Sequence, residues 1–150
     1  MNNSRFALAV HVLALLALEN KPEPTTSEYL ACSAGTHAVV VRRILGALQR
    51  AGLVNAQPGV GGGVTLACQP EVITLYQIYR AVDEGELFSL GARKPSPDSK
   101  CGRNIQPILV DVFAKSEQAV AGALAQITLA QIVGEIERSE ARLHAERSSA

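Results

Sequence analysis

The chain has 150 residues, of which 47% are hydrophobic and 19% charged, and its formal net charge is zero. This length and composition are typical of one compact globular domain, and they exclude a disordered chain and two independent cores. The balanced charge excludes a uniformly basic nucleic-acid binder, and a chain with three Tyr, three Phe and no Trp offers little for a base-stacking platform.

The charge is distributed unevenly along the chain. Residues 1–66 carry five Lys or Arg and three Asp or Glu, a net charge of +2, whereas the remainder carries nine against eleven, a net charge of −2. This asymmetry permits an anion-binding first half but does not require one.

The first apolar segment spans residues 6–18 and includes His11. It is shorter than the roughly 20 apolar residues that a membrane span needs, and a helix end rather than a cleavage site follows it. We therefore predict a buried helix that is capped at Ser4, with His11 as a satisfied core histidine. The protein is then expected to be cytoplasmic, with reduced thiols at Cys32, Cys68 and Cys101.

Two further helices follow, and Gly35 lies in the turn between them. The first, "SEYLACS", is short and begins at a cap formed by Thr26 or Ser27, and the second runs from about His37 to Ala51. A short helix, a glycine-containing turn and a longer helix in this order are typical of a helix-turn-helix.

The longer helix has two different faces. Apolar residues at the i, i+3, i+4 and i+7 spacing predict a stripe that packs in the core, formed by Val41, Ile44, Leu45 and Leu48. The other side holds Thr36, Val39, Arg43 and Arg50, with Arg42 on the flank. Adjacent arginines suit a reader of the major groove, because one guanidinium can bond two acceptors of guanine and can also neutralise phosphate. Solvated surface charge is the alternative interpretation, which the arginine pair alone favours.

A glycine-rich segment, "QPGVGGGVTLA", spans residues 57–67. A phosphate-binding loop of a nucleotide enzyme would need a Lys and a Ser or Thr directly after the last glycine, at the start of a helix. Here Gly63 is followed by "VTLA", which is typical of a strand. The segments "LVNAQ" and "GVTLA" therefore predict a hairpin, and a hairpin directly after a helix-turn-helix is a wing.

The second half of the chain is predicted to be helical. Thr74 caps the helix "LYQIYRAVDEG", a long loop covers about residues 87–104, and two helices that separate near Thr128 complete the chain. The apolar positions between Ile105 and Ile127 exceed what a small winged domain needs to bury. We predict a helical dimerisation surface, with intramolecular packing as the alternative.

Several of these segments together resemble the Rrf2 family of bacterial winged helix-turn-helix transcription regulators. They are "SRFALAVHVLALLAL", "TSEYLACSAGTHAVVVRRILGALQRAGLVNAQPGVGGGVTLA", "ITLYQIYRAVDEG" and "ITLAQI", and the similarity spans nearly the whole chain. The resemblance implies a mainly α fold with a small β-hairpin, and a homodimer that binds a partly palindromic operator in double-stranded DNA. The recognition helix then enters the major groove and the wing reaches the adjacent minor groove.

The resemblance also implies which residues contact DNA. On the recognition helix and the turn before it these are Thr36, His37, Val39, Val40, Arg42 and Arg43. The phosphates are expected to contact Ser4, Arg5, Ser27 and the wing at Gln57, Gly59, Gly61, Gly62 and Gly63. Pro58 stands at a wing-tip position where some relatives carry Arg, so the minor-groove contact is expected to weaken or to pass to Gln57.

The resemblance divides the chain into a DNA-binding domain (residues 1–86), a sensor loop (87–104) and dimerisation helices (105–150). Family members that bind an iron-sulfur cluster carry three cysteines in this loop, whereas this loop has only Cys101, so we expect no cluster and no other cofactor. Lys100 and Arg103 flank Cys101, and nearby positive charge favours a reactive thiolate. Cys101 is therefore a candidate redox sensor, with an inert thiol as the alternative, and Cys32 is expected to be buried.

The leading hypothesis is a DNA-binding transcriptional regulator, acting as a repressor, that is controlled by thiol oxidation or by a small ligand. The alternative is a winged-helix protein-interaction module that regulates a partner enzyme by direct contact. No paired carboxylates and no Ser-His-Asp arrangement stand out from the spacing, so we do not predict an enzyme.

Overall fold

The computed structural model describes residues 3–83 and 85–148. Within these residues it has six helices and one two-stranded antiparallel sheet, a mainly α fold with a hairpin as predicted. The elements in chain order are α1 (Asn3–Glu19), α2 (Ser27–Ala34), α3 (Ala38–Arg50), β1 (Val54–Gln57), β2 (Gly63–Leu66), α4 (Leu75–Val82), α5 (Lys100–Ala125) and α6 (Leu129–Ser148). None of the described helices has the length and apolar character that crossing a membrane requires.

Most helix ends lie where their capping residues predict them. Thr26 accepts a hydrogen bond from the backbone of Tyr29 at the start of α2, and Thr74 forms a capping box with Gln77 at the start of α4. α3 ends before Gly52, whose φ of 73° is the left-handed conformation that glycine adopts readily. α1 is an exception, because the helix has already begun at Asn3 and Ser4 therefore lies inside its first turn.

The core is formed by apolar side chains from α1, α2, α3, α4 and the hairpin. This core buries the apolar stripe that was predicted for α3, and it also buries Ile78 and Val82 of α4. The side chains of this core that are largest and most completely buried include Leu13, Leu30, Ile44, Leu48, Ile73, Ile78 and Leu129. The helix-turn-helix thus rests on a filled interior, which holds α3 at a fixed angle to the rest of the domain.

The hairpin is attached to the beginning of the helix-turn-helix. Its strands pair from Val54 with Leu66 to Gln57 with Gly63, and Val64 exchanges two backbone hydrogen bonds of 2.9 Å with Thr25. A side chain at Gly63 would collide with the Thr25 backbone, so this close approach requires glycine. The wing is therefore fixed relative to α2, whose cap follows Thr25 directly.

The last two helices are attached to the rest through a short backbone bridge. Leu75 donates its backbone N–H to the Ile127 carbonyl, and Leu129 donates to that of Ile73, both at 2.8 Å. Thr128 and Gln131 exchange hydrogen bonds in a capping box at the start of α6, as predicted for Thr128. α6 packs against α1, whereas α5 contains no buried residue.

The predicted loop over residues 87–104 is too long at its carboxyl end. Ser99 accepts a hydrogen bond of 2.7 Å from the backbone N–H of Gly102, and α5 begins at Lys100. Five residues assigned to the loop, 100–104, are therefore helical. A serine cap with a glycine three residues later is a weak start signal in a sequence, which explains the error.

Candidate nucleic-acid interface

α3 presents a solvent-exposed face opposite the stripe that it buries. Val39 is 55% exposed, and His37, Val40, Arg42 and Arg43 are also exposed. His37 stands at the N-cap position in an extended conformation, and its side chain makes no capping hydrogen bond. The predicted contact residues of the recognition helix thus share an accessible side of the domain, except Thr36, which is partly buried.

A first cleft, of about 400 Å³, lies between α1 and the beginning of α3. Its polar side chains include Ser4, Arg5, His11 and Thr36, and Val40 closes one side. The structure therefore brings the predicted phosphate contacts of α1 next to the start of the recognition helix. His11 was predicted in the core but is exposed, and its Nε2 lies 3.0 Å from the Ser33 hydroxyl of α2.

Arg42 is held by two side chains of α2. Its Nε donates a hydrogen bond of 3.2 Å to the Ser27 hydroxyl, and its Nη2 donates to a carboxylate oxygen of Glu28. The Glu28 carboxylate accepts a hydrogen bond from the backbone N–H of Glu28 and lies beside the Arg42 guanidinium. Both interactions hold the pKa of this carboxyl below its ordinary value. The ion pair is solvent-exposed, so it orients Arg42 more than it stabilises the fold.

A second cleft, which we call the wing groove, lies between α3, the start of α2 and the hairpin. It has a volume of about 450 Å³, and the predicted contact residues among its lining are Ser27, Arg42, Gln57, Gly59, Gly62 and Gly63. The groove thus joins the recognition helix to the wing through the first turn of α2, at the helix end where the macrodipole favours an anion.

The apex of the wing is Val60 rather than Pro58. Gln57 and Gly63 form the last strand pair, which places Val60 in the middle of the intervening turn, and its side chain is fully exposed. Gly59 and Gly61 on either side have φ angles of 91° and 73°, which a side chain would strain. The prediction that Pro58 occupies the tip was therefore wrong by two residues, because strand pairing sets the apex.

Three features of this surface were missed from the sequence. Glu28 was read only as a favourable first-turn carboxylate, Thr25 was not assigned to the sheet, and Val60 was not singled out. Glu28 and Arg42 are 14 residues apart on different helices, so their contact has no local signature. The two-residue offset of Val60 from Pro58 could have been found by aligning the strands about the glycines.

The cysteines do not form a metal site in the described part of the chain. Cys101 is exposed in the first turn of α5, and Cys32 is also exposed, which corrects its predicted burial. Cys32 lies on α2 near its end, where the side chain points away from the core. The described residues hold no group of three or more His, Cys, Asp or Glu side chains that could bind a metal ion.

The segment after α4 packs against α5 through aromatic side chains. Phe88 stacks on Phe113 with 5.2 Å between ring centroids, and the backbone N–H of Leu87 donates to a Glu117 carboxylate oxygen at 3.0 Å. An open cleft of about 400 Å³ lies beside this stack, against the Val110 side of α5. The predicted sensor region thus contains a partly apolar cleft as well as the Cys101 thiol.

Comparison with known proteins agrees with this architecture. Residues 2–135 match the Rrf2 family, which is described as an iron-dependent transcriptional regulator. YwnA of Bacillus subtilis strain 168, named as an HTH-type transcriptional regulator, is 34% identical over 136 residues, which cover 91% of this chain and 99% of YwnA.

Two solved structures extend the comparison to three dimensions. One is a crystal structure described as that of a DNA-binding protein, which is 31% identical with a TM-score of 0.67. The aligned part covers 85% of this chain and 97% of the chain in that structure. The structure of T. potens IscR shares the fold at 22% identity, with a TM-score of 0.69 and coverage of 93% of this chain and 90% of its own. The chain therefore belongs to the Rrf2 family of winged-helix, DNA-binding transcriptional regulators, and it is not an enzyme.

Proposed function

We propose that the protein is a homodimeric repressor that binds a partly palindromic operator, with α3 in the major groove and the wing in the adjacent minor groove. The observation that carries this proposal is the exposed side of α3, which carries Arg42 and Arg43 and from which Arg42 lines the wing groove. Arginine can bond two acceptors of guanine, and the wing backbone can lie close to phosphates because glycines form its turn. We keep the division into a DNA-binding domain (residues 1–86), a sensor segment (87–104) and dimerisation helices (105–150). The first turn of α5, from Lys100, then belongs to the sensor segment.

The dimer is supported by the exposed apolar residues of α5. Ile108 is 58% exposed and Val112 is 47% exposed, four residues apart on one face of a helix of 26 residues. A contiguous apolar surface on a helix marks a protein interface, and a second copy of the chain offers the same surface by two-fold symmetry. Two copies of α3 would then face two half-sites of a palindrome.

Control by the Cys101 thiol, or by a small ligand in the cleft beside Phe88 and Phe113, completes the proposal. Peroxide would oxidise the exposed thiol to a sulfenic acid and release water. An iron-sulfur cluster does not fit this donor set, since a cluster is held by several closely placed thiolates and α5 offers one.

The test of DNA binding is selection of bound fragments from a genomic library, followed by affinity measurements on the recovered operator. Replacing both Arg42 and Arg43 with Ala should weaken operator binding by roughly two orders of magnitude or more, because two base or phosphate contacts are lost. The double variant Arg138→Ala, Arg142→Ala removes the same charge from α6 and should bind normally. Operator affinity that survives in the first variant would overturn the assignment of α3.

The same selection separates the regulator from a protein-interaction module. A repressor should recover a defined set of fragments with a shared palindrome, and binding should weaken steeply as salt rises. Recovery of random fragments only, together with capture of one enzyme from the same extract, would favour the alternative.

The thiol is tested by treating the protein with peroxide before the binding assay. Cys101→Ser should remove any change in operator affinity on oxidation, while Cys32→Ser, which alters another exposed thiol, should retain it. An oxidation response that survives in the Cys101 variant would place the sensor elsewhere.

A further inference from the structure

Glu28 introduces a negative charge into the surface that is proposed to meet DNA. Among the described residues that line the first cleft and the wing groove, Glu28 is the acidic one. Its side chain is 64% exposed and that of its partner Arg42 is 54% exposed, so the pair stands in solvent where phosphates would approach. The charge of a carboxylate in this position opposes DNA binding. Its presence on this surface therefore needs another physical explanation.

The contacts of Arg42 leave one edge of its guanidinium available. Nε bonds Ser27 and one N–H of Nη2 bonds Glu28, so three of the five N–H groups remain. These are both N–H groups of Nη1 and the second of Nη2, and one N–H of each nitrogen together form the end of the fork. This end can still bond two acceptors on one guanine, whereas the side edge is already occupied by α2.

We propose that Glu28 is a specificity-determining residue, which clamps the side edge of Arg42 so that the arginine reads a base but binds phosphates poorly. The inference rests on the proposed function, since it requires α3 to enter the major groove. The clamp acts before DNA arrives, because Ser27 and Glu28 belong to α2 and hold Arg42 in one orientation.

The clamp should affect random DNA more than the operator. Binding to random DNA comes almost entirely from phosphate contacts, so a clamp that holds the side edge of Arg42 away from phosphates weakens it. On the operator, the free end of Arg42 bonds a base while the clamp persists, and the fixed orientation lowers the entropy cost of that contact. Removing the carboxylate therefore raises the first affinity and leaves the second nearly unchanged.

The first measurement compares wild-type protein with Glu28→Gln on a random-sequence duplex and on the recovered operator. We expect Glu28→Gln to bind the random duplex about two- to fivefold more tightly and the operator within about twofold of wild type. Glu71→Gln makes the same change at an exposed position in the turn after β2 and should alter neither affinity. An unchanged affinity for random DNA, or an equal rise in the Glu71 variant, would overturn the proposal.

The second measurement asks whether Glu28 acts through Arg42. In an Arg42→Ala background, Glu28→Gln should raise the affinity for random DNA by a smaller factor, because there is no arginine that the carboxylate could hold away from phosphates. A gain of the same size in both backgrounds would mean simple repulsion of DNA by the carboxylate and would overturn the clamp. Thermal unfolding of each variant checks that all of them are folded.

The two proposals fail in different ways. If the wild-type protein recovers no defined operator, the proposed function fails before Glu28 is tested. If the operator is recovered and the Arg42 and Arg43 variant loses it, but Glu28→Gln leaves the ratio of operator to random affinity unchanged, only the clamp is wrong.

Discussion

The first part of the chain encloses a core of buried apolar side chains, whereas the apolar side chains of α5 are at most partly buried. Among the residues that the structure describes, all of the buried apolar side chains except Leu129 lie between Ala9 and Val82. α5 is the longest helix and has no buried residue, although Ile108, Val110 and Val112 are all large and apolar. The difference indicates that residues up to α4, with Leu129 of α6, complete one core, while α5 exposes apolar side chains that the proposed homodimer would cover.

The largest expected effect is in the core of the first part. Leu48 is fully buried on α3, so Leu48→Ala should lower the free energy of unfolding by about 2–5 kcal/mol through lost burial and a residual cavity. Ile108→Ala on α5 should change the unfolding free energy of the monomer by less than about 0.5 kcal/mol. Urea denaturation of dilute protein measures both, and equal losses would remove the contrast between the two regions.

The next effect concerns assembly. Ile108→Glu should raise the dissociation constant of the homodimer by about a hundredfold, because symmetry places two unpaired carboxylates in one apolar interface. Val72→Glu makes a similar change at an exposed apolar residue after β2, and it should leave the dimer intact. Sedimentation velocity over a range of concentrations distinguishes these outcomes, and an unaffected dimer in the Ile108 variant would show that α5 is not the interface.

The same contrast explains which features could be predicted from sequence. The stripe from Val41 to Leu48 follows helical spacing, so its burial is encoded within one helix and was predicted correctly. The hairpin was predictable because the glycines interrupt two short strands. Local patterns therefore establish the elements of the first part and its DNA-facing helix.

Contacts between separate elements were not predictable in this way. The clamp between Glu28 and Arg42 and the bridge from Thr25 to Val64 depend on how helices and strands are placed in space. Cys32 was assigned to the interior from its residue type, but its position around α2 directs it outward. Residue type gives an average burial, and only the orientation of the helix decides the individual case.

A smaller effect is expected from the wing, where the side chain of Val60 is fully exposed. Val60→Arg should tighten operator binding several-fold and increase the slope of log affinity against log salt by about one, because one cation is added beside the phosphates. Val72→Arg adds the same charge away from the proposed interface and should change neither quantity. A Val60 variant with unaltered salt dependence would mean that the wing does not approach DNA.

The smallest expected effect comes from a polar contact between α1 and α2. Glu19 forms an ion pair with Lys21 and accepts a hydrogen bond from the Tyr29 hydroxyl, and these contacts hold the pKa of its carboxyl below the ordinary value of 4.5. Because the folded pKa lies below the unfolded one, the stabilisation is complete above about pH 4.5 and is lost as pH falls through the folded pKa. The stability of wild type should therefore fall towards that of Glu19→Gln in acid, while at neutral pH the wild type is the more stable.

Urea midpoints measured from neutral pH to acid test this, with Glu71→Gln expected to follow the wild-type curve. A constant difference between wild type and the Glu19 variant at every pH would show that the charge of Glu19 adds nothing to the stability of the first part.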